Sequence, residues 1–471
     1  MLISRTLISL ALVAGTVGTA VADDSDLDPT FGTNGIALTG VTDASGGIAA
    51  CRPIVQPDGK ILICGTRVDN GGSGSDFFVA RFTADGQPDL SFSFDGQVTI
   101  DFTGSGGADV AKSIALQSDG KIVVAGTISA SGATSGNDFG VARLTSDGTL
   151  DTTFGAGTGK KIVSFDLVGG SSSDDAADMA IQADGKIVVA GTVATPDHGT
   201  DFGVVRLLSD GSPDASFNLT GKVTVGFDLL GSTNMNDMAS RVAIDSSGRI
   251  VISGSADKGP TGTDVDYAVA RLLPNGTLDA NFNADGRATV AFDVGVTASD
   301  TCYGLSLQTD GKILLSGNVD VSPSSTPNQD IGVARLQPDG SPDNTFGIDG
   351  KTLVTFDLIP NGIDFGLDIR EQADGHVLVV GAAQYALPNS LYAAAVRLDS
   401  DGSLDAGFGT LGRRTYDFGL TTPSVQAFLG ATMQGDDIIA AGIAYVPGGA
   451  NATDNLVVRL RNDVIFANGF D

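Results

Sequence analysis

Apolar and polar positions form short alternating runs along most of this chain, and the clearest example is Ile181–Gly191. One apolar run ends at Asp184-Gly185, and a second run begins directly after Lys186. Asp-Gly between two such runs predicts a β-hairpin with a two-residue type I′ turn, because both turn residues need φ > 0. The pattern therefore predicts two antiparallel strands joined tightly at Asp184-Gly185.

The hairpin pattern recurs seven times at a nearly constant interval. The turn glycines are Gly59, Gly120, Gly185, Gly248, Gly311, Gly375 and Gly435. Successive glycines lie 60 to 65 residues apart. A period of this kind indicates one repeat array, which outweighs the two or three domains that a length of 471 residues would otherwise suggest.

Two further motifs follow the same period. Asp-x-x-Phe opens each unit, with its aspartates at Asp28, Asp89, Asp151, Asp214, Asp279, Asp343 and Asp405. A strand of the type Phe-Gly-Val-Ala-Arg-Leu closes each unit, with its arginines at Arg81, Arg143, Arg206, Arg271, Arg335, Arg397 and Arg459. Each unit thus offers a short strand, two hairpin strands and the arginine strand.

Seven four-stranded antiparallel units of about 63 residues predict an all-β fold, a seven-bladed β-propeller. A parallel β-helix is the main rival, but direct Asp-Gly hairpins do not fit a parallel winding. We place the propeller at residues 23–460. The approximate repeats are 27–82, 89–144, 151–207, 214–272, 279–336, 343–398 and 405–460. Residues 461–471 form a C-terminal tail.

Together, Leu-Asp-x-x-Phe-Gly, Gln-x-Asp-Gly-Lys-Ile and Phe-x-Val-Ala-Arg-Leu resemble the motifs of the delta-60 repeat proteins. The resemblance covers roughly Asp26 to Leu460. It implies a bacterial β-propeller-like fold and the repeat unit. The family is largely uncharacterised, so the resemblance implies no catalytic residues.

The repeated arginine is expected to be buried and paired. Phe202, Val204 and Arg206 share one face of their strand, and both faces of a propeller blade pack on neighbouring blades. A buried guanidinium needs a carboxylate, and Asp214 follows eight residues later. We therefore predict a structural Arg–Asp pair in every unit; the alternative is a ring of charge around a central channel. For Arg459, the aspartate of the N-terminal motif, Asp28, is the expected partner on ring closure.

Residues 1–22 have the features of a secretory signal peptide. Arg5 supplies the positive charge, Leu7–Gly18 is apolar but too short to span a bilayer, and Ala20-Val21-Ala22 provides the cleavage site. These features predict a protein that is secreted, periplasmic or on the cell surface. After export, Cys51 and Cys64 can form a disulfide; the alternative is two small buried side chains.

The formal net charge of −29 argues against nucleic acid and anionic membranes as partners. Both histidines, His198 and His376, are expected at the surface rather than in a zinc or triad site. Calcium is the one cofactor that the aspartate-rich loops allow, for example at Asp264 and Asp266. An EF-hand is excluded at Asp24–Asp28, because Pro29 stands where that loop needs glycine.

These observations favour an exported monomer that acts as a binding or scaffolding module for an extracellular protein or glycan. No catalytic residue is assigned. One alternative is a propeller hydrolase or lyase that uses aspartates, with or without calcium. Another is a purely structural surface protein. Any specific function is expected where the repeats differ, in the loops before each arginine strand or at the channel mouth.

Overall fold

The computed structural model describes residues 25–40, 51–68, 74–102, 104, 106–129, 136–168, 173–196, 199–227, 236–258, 264–295, 299–323, 328–386, 390–419, 425–445 and 453–461. The predicted signal peptide, His198 and all of the tail except Arg461 lie outside these ranges. Within the described part of the chain, no helix has the length and apolar character needed to cross a membrane.

Seven four-stranded antiparallel sheets form the blades of a β-propeller, as predicted. The inner strands are β2 (Ile54–Val55), β6 (Val110–Leu116), β10 (Asp174–Ile181), β14 (Met238–Ile244), β18 (Asp300–Leu307), β22 (Asp364–Glu371) and β26 (Gln426–Gln434). The second strands are β3 (Ile61–Val68), β7 (Ile122–Ser129), β11 (Ile187–Thr195), β15 (Ile250–Asp257), β19 (Ile313–Asp320), β23 (Val377–Ala386) and β27 (Asp437–Tyr445).

The third strand of each blade carries the repeated arginine, and the outer strand is short. The third strands are β4 (Ser75–Phe82), β8 (Asn137–Leu144), β12 (Gly199–Leu207), β16 (Val265–Leu272), β20 (Gln329–Leu336), β24 (Ser390–Leu398) and β28 (Thr453–Leu460). The outer strands are β5 (Gln97–Ile100), β9 (Lys160–Val163), β13 (Lys222–Val225), β17 (Arg287–Val290), β21 (Lys351–Val354), β25 (Arg413–Tyr416) and β1 (Ile36–Leu38). A single 3₁₀ turn, Gly155–Gly157, precedes β9.

The blade is out of phase with the repeat units described above. The short strand after each Asp-x-x-Phe pairs with the preceding arginine strand, as β5 does with β4. The chain then crosses to the next blade, where it forms the new inner strand. The cause is the tight turn after each arginine strand, which returns the chain antiparallel within the same sheet. As a result, β1 completes the seventh blade by pairing Ile36–Leu38 with β28.

The predicted type I′ turn is wrong for the hairpins marked by Asp-Gly. In the first, the Gln56 amide donates to the Lys60 carbonyl, which leaves a three-residue loop, Pro57-Asp58-Gly59. Only Gly59 has a positive φ, of 82°. Pro57 has no backbone N–H for the pairing with Lys60 that a two-residue turn requires, and it favours a type I turn that glycine then closes in the left-handed region. The seventh hairpin differs, because Gln434 pairs with Asp437 across a two-residue loop.

The apolar core lies between adjacent blades. The Asp-x-x-Phe phenylalanine of each unit is fully buried, and it reaches the turn of the next blade. A Cβ on Gly148, whose φ is 93°, would lie 2.9 Å from the Phe92 ring. Glycine is therefore needed at this turn both for its backbone conformation and for the close approach of the ring.

Candidate functional site

The inner strands carry a β-bulge that directs side chains toward the propeller axis. In β6 the register shifts between Ala111 and Ser113, and β10, β14, β18, β22 and β26 have the corresponding shift. A bulge re-aims the residues around it, and such bulges are frequent next to binding sites. The residues that follow the bulge are Ser113, Asp178, Arg241, Gly304, Asp368 and Gly430. Arg52 occupies the same place in the first blade.

These residues meet across the central channel. Arg52 in the first blade contacts the Asp368 carboxylate in the sixth, and its Nη2 donates to the Leu305 carbonyl of the fifth at 3.0 Å. Arg241 in the fourth blade approaches the carbonyls of Leu367 and Leu429, each at 3.4 Å. Blades that are not neighbours can make such contacts only through the axis of the ring. We call Arg52, Asp178, Arg241, Asp368 and Arg370 the channel cluster.

Each carboxylate of the channel cluster is also held by a neighbouring blade. Asp178 accepts the Ser113 hydroxyl at 2.8 Å and the Val242 amide at 3.1 Å. Asp368 accepts the Ala431 amide at 3.0 Å. These bonds hold both carboxylates in place beside the arginines of the channel cluster.

The channel cluster holds three arginines against two aspartates. Burial acts to raise the pKa of Asp368, but Arg52, Arg370 and Arg241 outweigh it and lower that pKa. Burial and repulsion from Arg52 lower the pKa of Arg370 to about 10 and also lower the pKa of Arg241. The Nε atoms of Arg52 and Arg241 are buried without an acceptor among the described residues. The cluster thus has excess positive charge and unused donors in a chain whose net charge is −29.

A cavity of about 550 Å³ opens at one end of the channel, on the face where the inner strands begin. We call this side the entry face, and the side of the Asp-Gly turns the hairpin face. Polar side chains from four blades line the cavity: Lys112, Asn137, Asp175, Ser240, Arg241 and Tyr303. Burial lowers the pKa of the Lys112 ammonium, and Arg241 adds to this effect. Burial also raises the pKa of Tyr303.

The predicted Arg–Asp pairs lie away from the channel, near the hairpin face. Nε of Arg206 donates to Asp214 Oδ2 at 2.7 Å, and the guanidinium lies 4.6 Å from the centre of the Phe217 ring. The same pairs join Arg81 to Asp89, Arg143 to Asp151, Arg271 to Asp279, Arg335 to Asp343, Arg397 to Asp405 and Arg459 to Asp28. The ring of charge at the channel is thus built from other residues.

We call these pairs clasps. The arginines of six clasps also link two blades, because each one donates to a backbone carbonyl of the next blade. Nη1 of Arg81, for example, donates to the carbonyl of Ser146 in the next blade at 2.6 Å. Burial acts to raise the pKa of Asp214, but the Ser216 hydroxyl and amide together with Arg206 hold it at about 2. Asp28 in the closing clasp likewise has a pKa of about 2.

A basic residue follows six of the seven hairpin glycines and lies close to the clasp of its blade. Nζ of Lys186 is 3.4 Å from Asp214 Oδ2, and Nη1 of Arg249 is 3.6 Å from Asp279 Oδ2. His376, expected at the surface, is half-buried, and its Nε2 lies 3.7 Å from Asp405 Oδ2. These positions thus add a second basic group to the clasp carboxylate.

Cys51 and Cys64 form a disulfide in the structure, with Cα atoms 5.1 Å apart. The three-residue hairpin loop shifts the register by one residue, so Leu62 lies opposite Ile54, not Val55 as a two-residue turn would require. The disulfide is adjacent to Arg52 and fixes the start of this inner strand. Cys302 is a buried free thiol, and burial raises its pKa to about 12.

A second set of aspartates, missed by the sequence reasoning, starts the inner strands on the entry face. Oδ2 of each one accepts the amide of a phenylalanine after the preceding outer strand; Asp364 and Phe356, for example, are 2.7 Å apart. The set is Asp109, Asp174, Asp237, Asp300 and Asp364. Burial raises the pKa of Asp300 to about 6 and that of Asp364 to about 7. Their regular place before the bulge is a signal that sequence comparison between repeats could have found.

Six stretches of the chain match one family model, at residues 56–92, 117–154, 182–217, 246–282, 308–346 and 372–408. It describes a domain of unknown function, the DUF5122 beta-propeller. Each DUF5122 match runs from the hairpin to the phenylalanine of Asp-x-x-Phe. The seventh blade takes that phenylalanine, Phe31, from the start of the chain, so it has no continuous segment of this kind. The delta-60 repeat name stays a prediction.

No curated protein matches the chain. Among solved structures, similar folds include a protein of unknown function from Dyadobacter fermentans (13% identity, TM-score 0.44, 74% of this chain and 95% of that one). They also include a PL25 ulvan lyase, with 10% identity and a TM-score of 0.46 over 93% of this chain and 94% of that one. A GH93 α-L-arabinofuranosidase of Fusarium graminearum has 10% identity and a TM-score of 0.46 over 80% of this chain and 98% of that one. These distant likenesses carry no argument about function.

Proposed function

We propose that this chain is an exported binding module that holds a small anionic ligand at the entry-face mouth of its channel. The observation that carries the proposal is the excess of arginine in the channel cluster, from which Arg241 lines the cavity with a buried Nε that has no acceptor among the described residues. Buried N–H donors without acceptors are costly, and an anion would satisfy them. In so acidic a chain, such a concentration of positive charge needs a specific explanation.

The cavity supports a ligand that also carries hydroxyl groups. Its volume of about 550 Å³ is within the range of small-molecule sites. Asn137, Ser240 and Tyr303 offer neutral donors and acceptors, while Lys112 and Arg241 offer charge. Sugar acids and hydroxylated organic acids combine these features. We therefore take uronic acids as the first probes.

Binding is favoured over hydrolysis by the number of carboxylates at the cavity. Asp175 is the one carboxylate among its described lining residues, and it accepts the Asn137 amide at 2.7 Å. Glycoside hydrolysis ordinarily requires two carboxyl groups that flank the scissile bond. The cavity therefore supports recognition of an anionic sugar better than its hydrolysis.

The test is calorimetric titration of the full mature chain with glucuronate and galacturonate, and with glucose and galactose as uncharged counterparts. We expect the acids alone to bind, and their affinity to fall as salt increases, because screening weakens charge–charge attraction. Lys112→Met should weaken binding about tenfold, the equivalent of about 1.4 kcal/mol. Lys161→Met, on outer strand β9, removes the same charge away from the channel and should leave affinity unchanged. Equal binding of acids and neutral sugars, or equal loss in both variants, would refute the proposal.

A further inference from the structure

The extra residue of each β-bulge contributes to the wall of the channel cavity. In β6 the register passes from Ala111 to Ser113, so Lys112 has no pairing partner on β7. The bulges of β10, β14, β18, β22 and β26 each leave out one residue in the same way. All six of these residues, which we call the bulge ring, line the cavity: Lys112, Ala177, Ser240, Tyr303, Leu367 and Leu429. A bulge re-aims the side chain that it leaves out, so the bulge ring is the part of the repeat that faces a bound ligand.

The bulge ring is polar on one side and apolar on the other. Lys112, Ser240 and Tyr303 belong to the second, fourth and fifth blades. Leu367 and Leu429 belong to the sixth and seventh blades, which are neighbours. In a ring of seven blades, the sixth lies opposite the second and the third. The two leucines therefore form one continuous apolar surface, the leucine wall, across the cavity from Lys112.

The fold itself does not require leucine at these two places. Lys112 and Ser240 occupy the same bulge position in blades that have the same four strands. Leu367 and Leu429 are half-buried, and both pack on one small apolar cluster that includes Ala427. The part of each side chain that lines the cavity gains stability only when a ligand removes it from water. The leucine wall thus indicates a ligand with an apolar group.

The positive charge of the cavity reaches the leucine wall. Arg241 belongs to the fourth blade, but its Nη2 lies 3.4 Å from the carbonyls of both Leu367 and Leu429. An anion on this guanidinium would therefore be held beside the leucines. Asn137 and Lys112 line the cavity from the second blade, on the opposite side. One ligand of moderate size can contact all three kinds of surface at once.

We propose that the ligand is a uronic acid that carries an apolar substituent, as an aryl or alkyl glycoside of glucuronic acid does. This inference rests on the proposed function and adds Leu367 and Leu429 as the residues that determine specificity. The cationic side chains hold the carboxylate, and the leucine wall covers the apolar group. The cavity volume of about 550 Å³ is typical of sites for drug-sized ligands, which are larger than a single sugar ring.

The experiment is calorimetric titration of the full mature chain with glucuronate, phenyl glucuronide and phenyl glucoside. Phenyl glucuronide should bind at least about tenfold more tightly than glucuronate, with a more negative heat-capacity change, because burial of apolar surface has this signature. Phenyl glucoside keeps the apolar group but lacks the carboxylate. It should bind at least about tenfold more weakly than phenyl glucuronide, since it has no charge to pair with the arginine.

Two variants test the leucine wall directly. Leu367→Ser and Leu429→Ser each install the residue that the fourth blade has at the same position, Ser240. Each should lower the affinity for phenyl glucuronide about three- to tenfold, because apolar contact is lost, and leave the affinity for glucuronate unchanged. Leu391→Ser is the matched control, since Leu391 packs on the same apolar cluster but is not among the described residues that line the cavity. It should leave both affinities unchanged, and thermal melting establishes that each variant folds.

The inference is overturned if glucuronate and phenyl glucuronide bind with the same affinity and heat-capacity change. That outcome would leave the proposed function intact. Equal loss of phenyl glucuronide affinity in Leu391→Ser and the two cavity variants would also overturn the inference. Equal binding of phenyl glucuronide and phenyl glucoside would instead contradict the proposed function, because the carboxylate would then contribute nothing. If neither acid binds, the proposed function and the inference fail together.

Discussion

The hairpin face and the entry face use the same residue, aspartate, in opposite ways. On the hairpin face, each clasp carboxylate has an arginine and hydroxyl or amide donors, and the pKa of Asp343 is about 2. On the entry face, carboxylates such as Asp364 accept backbone amides but have other aspartates nearby. Burial and repulsion from those aspartates raise the pKa of Asp364 to about 7. The clasps repeat in all seven blades, whereas the channel and cavity residues change from blade to blade. The entry-face aspartates nevertheless repeat in five blades, so repetition does not by itself bring favourable pairing; the partners of each carboxylate set the direction of its pKa shift.

The largest expected effect comes from breaking a clasp. In Arg206→Ala, Asp214 would remain buried without its main partner, so the free energy of unfolding should fall by about 3–5 kcal/mol. Denaturant and thermal melts measure the change. Lys186→Ala is the control: this half-exposed lysine contacts the same carboxylate, and its loss should cost less than about 1 kcal/mol. An unchanged melt of Arg206→Ala would contradict a stabilising role for the clasps.

The next effect concerns the disulfide that precedes Arg52 on its strand. It joins cysteines 13 residues apart, and a loop of this length corresponds to about 3 kcal/mol in the chain-entropy account. The double variant Cys51→Ala/Cys64→Ala should therefore melt earlier by that amount. Because Cys51 is adjacent to Arg52, the double variant should also bind anionic ligands more weakly than the wild type.

Dithiothreitol provides the check on the disulfide. It should lower the melting temperature of the wild type and leave the double variant unaffected. Three free thiols in the unreduced wild type, together with no response to reductant, would show that the bond does not form.

The smallest effect depends on pH and separates the two sets of aspartates. The folded-state pKa of Asp300 is about 6 and that of Asp364 about 7, both above the ordinary 3.8. The folded chain therefore binds these protons more tightly than the unfolded chain, and this stability is lost as pH rises through 6–7. The clasp aspartates act oppositely, since their contribution is lost as pH falls from about 4 toward 2. Stability should be greatest near pH 4–5.

Asp364→Asn tests this interpretation. The asparagine side chain still offers an oxygen that can accept the Phe356 amide. In the last blade a neutral side chain already has this role, because Gln426 accepts the Phe418 amide. It should gain about 2 kcal/mol relative to the wild type at pH 8 and little at pH 5. Asp343→Asn, in a clasp, should instead be destabilised at both values. Parallel pH profiles for the wild type and Asp364→Asn would refute the assignment.

The fold could be predicted because its determinants are local and repeated. Hairpins, Asp-x-x-Phe and the arginine strand recur at one period, and the spacing from Arg206 to Asp214 indicated their contact. Two details escaped this reasoning. Asp-Gly suggested a two-residue turn, although Pro57 favours the longer type I loop. The repeat period also does not determine whether the short strand after Asp-x-x-Phe pairs with the preceding or the following blade, since both sheets have an edge strand available.

The candidate site could not be predicted in the same way. Arg52, Asp178, Arg241 and Asp368 occupy equivalent places in different blades, but the residue type at that place changes between neighbouring blades and the four are far apart in sequence. Only closure of the ring brings them together. Several of the loops before the arginine strands, where function was expected, lie outside the described residues. The available signal was that one repeat position changes from Arg52 to Ser113 to Asp178 in the first three blades. That change becomes visible only when the repeats are aligned with one another.

The pairing of β1 with β28 has a consequence for the order in which the molecule assembles. The closing clasp joins Arg459 to Asp28 across 431 residues of sequence, so it cannot form until nearly the whole chain has been synthesised. Contacts of such long sequence separation form slowly. After synthesis and until β1 pairs with it, β28 keeps an open edge that could pair with another chain. The first strand to be synthesised, β1, is thus the last to pair. Its pairing with β28 covers the open edge and so removes a site at which the folding chain could aggregate.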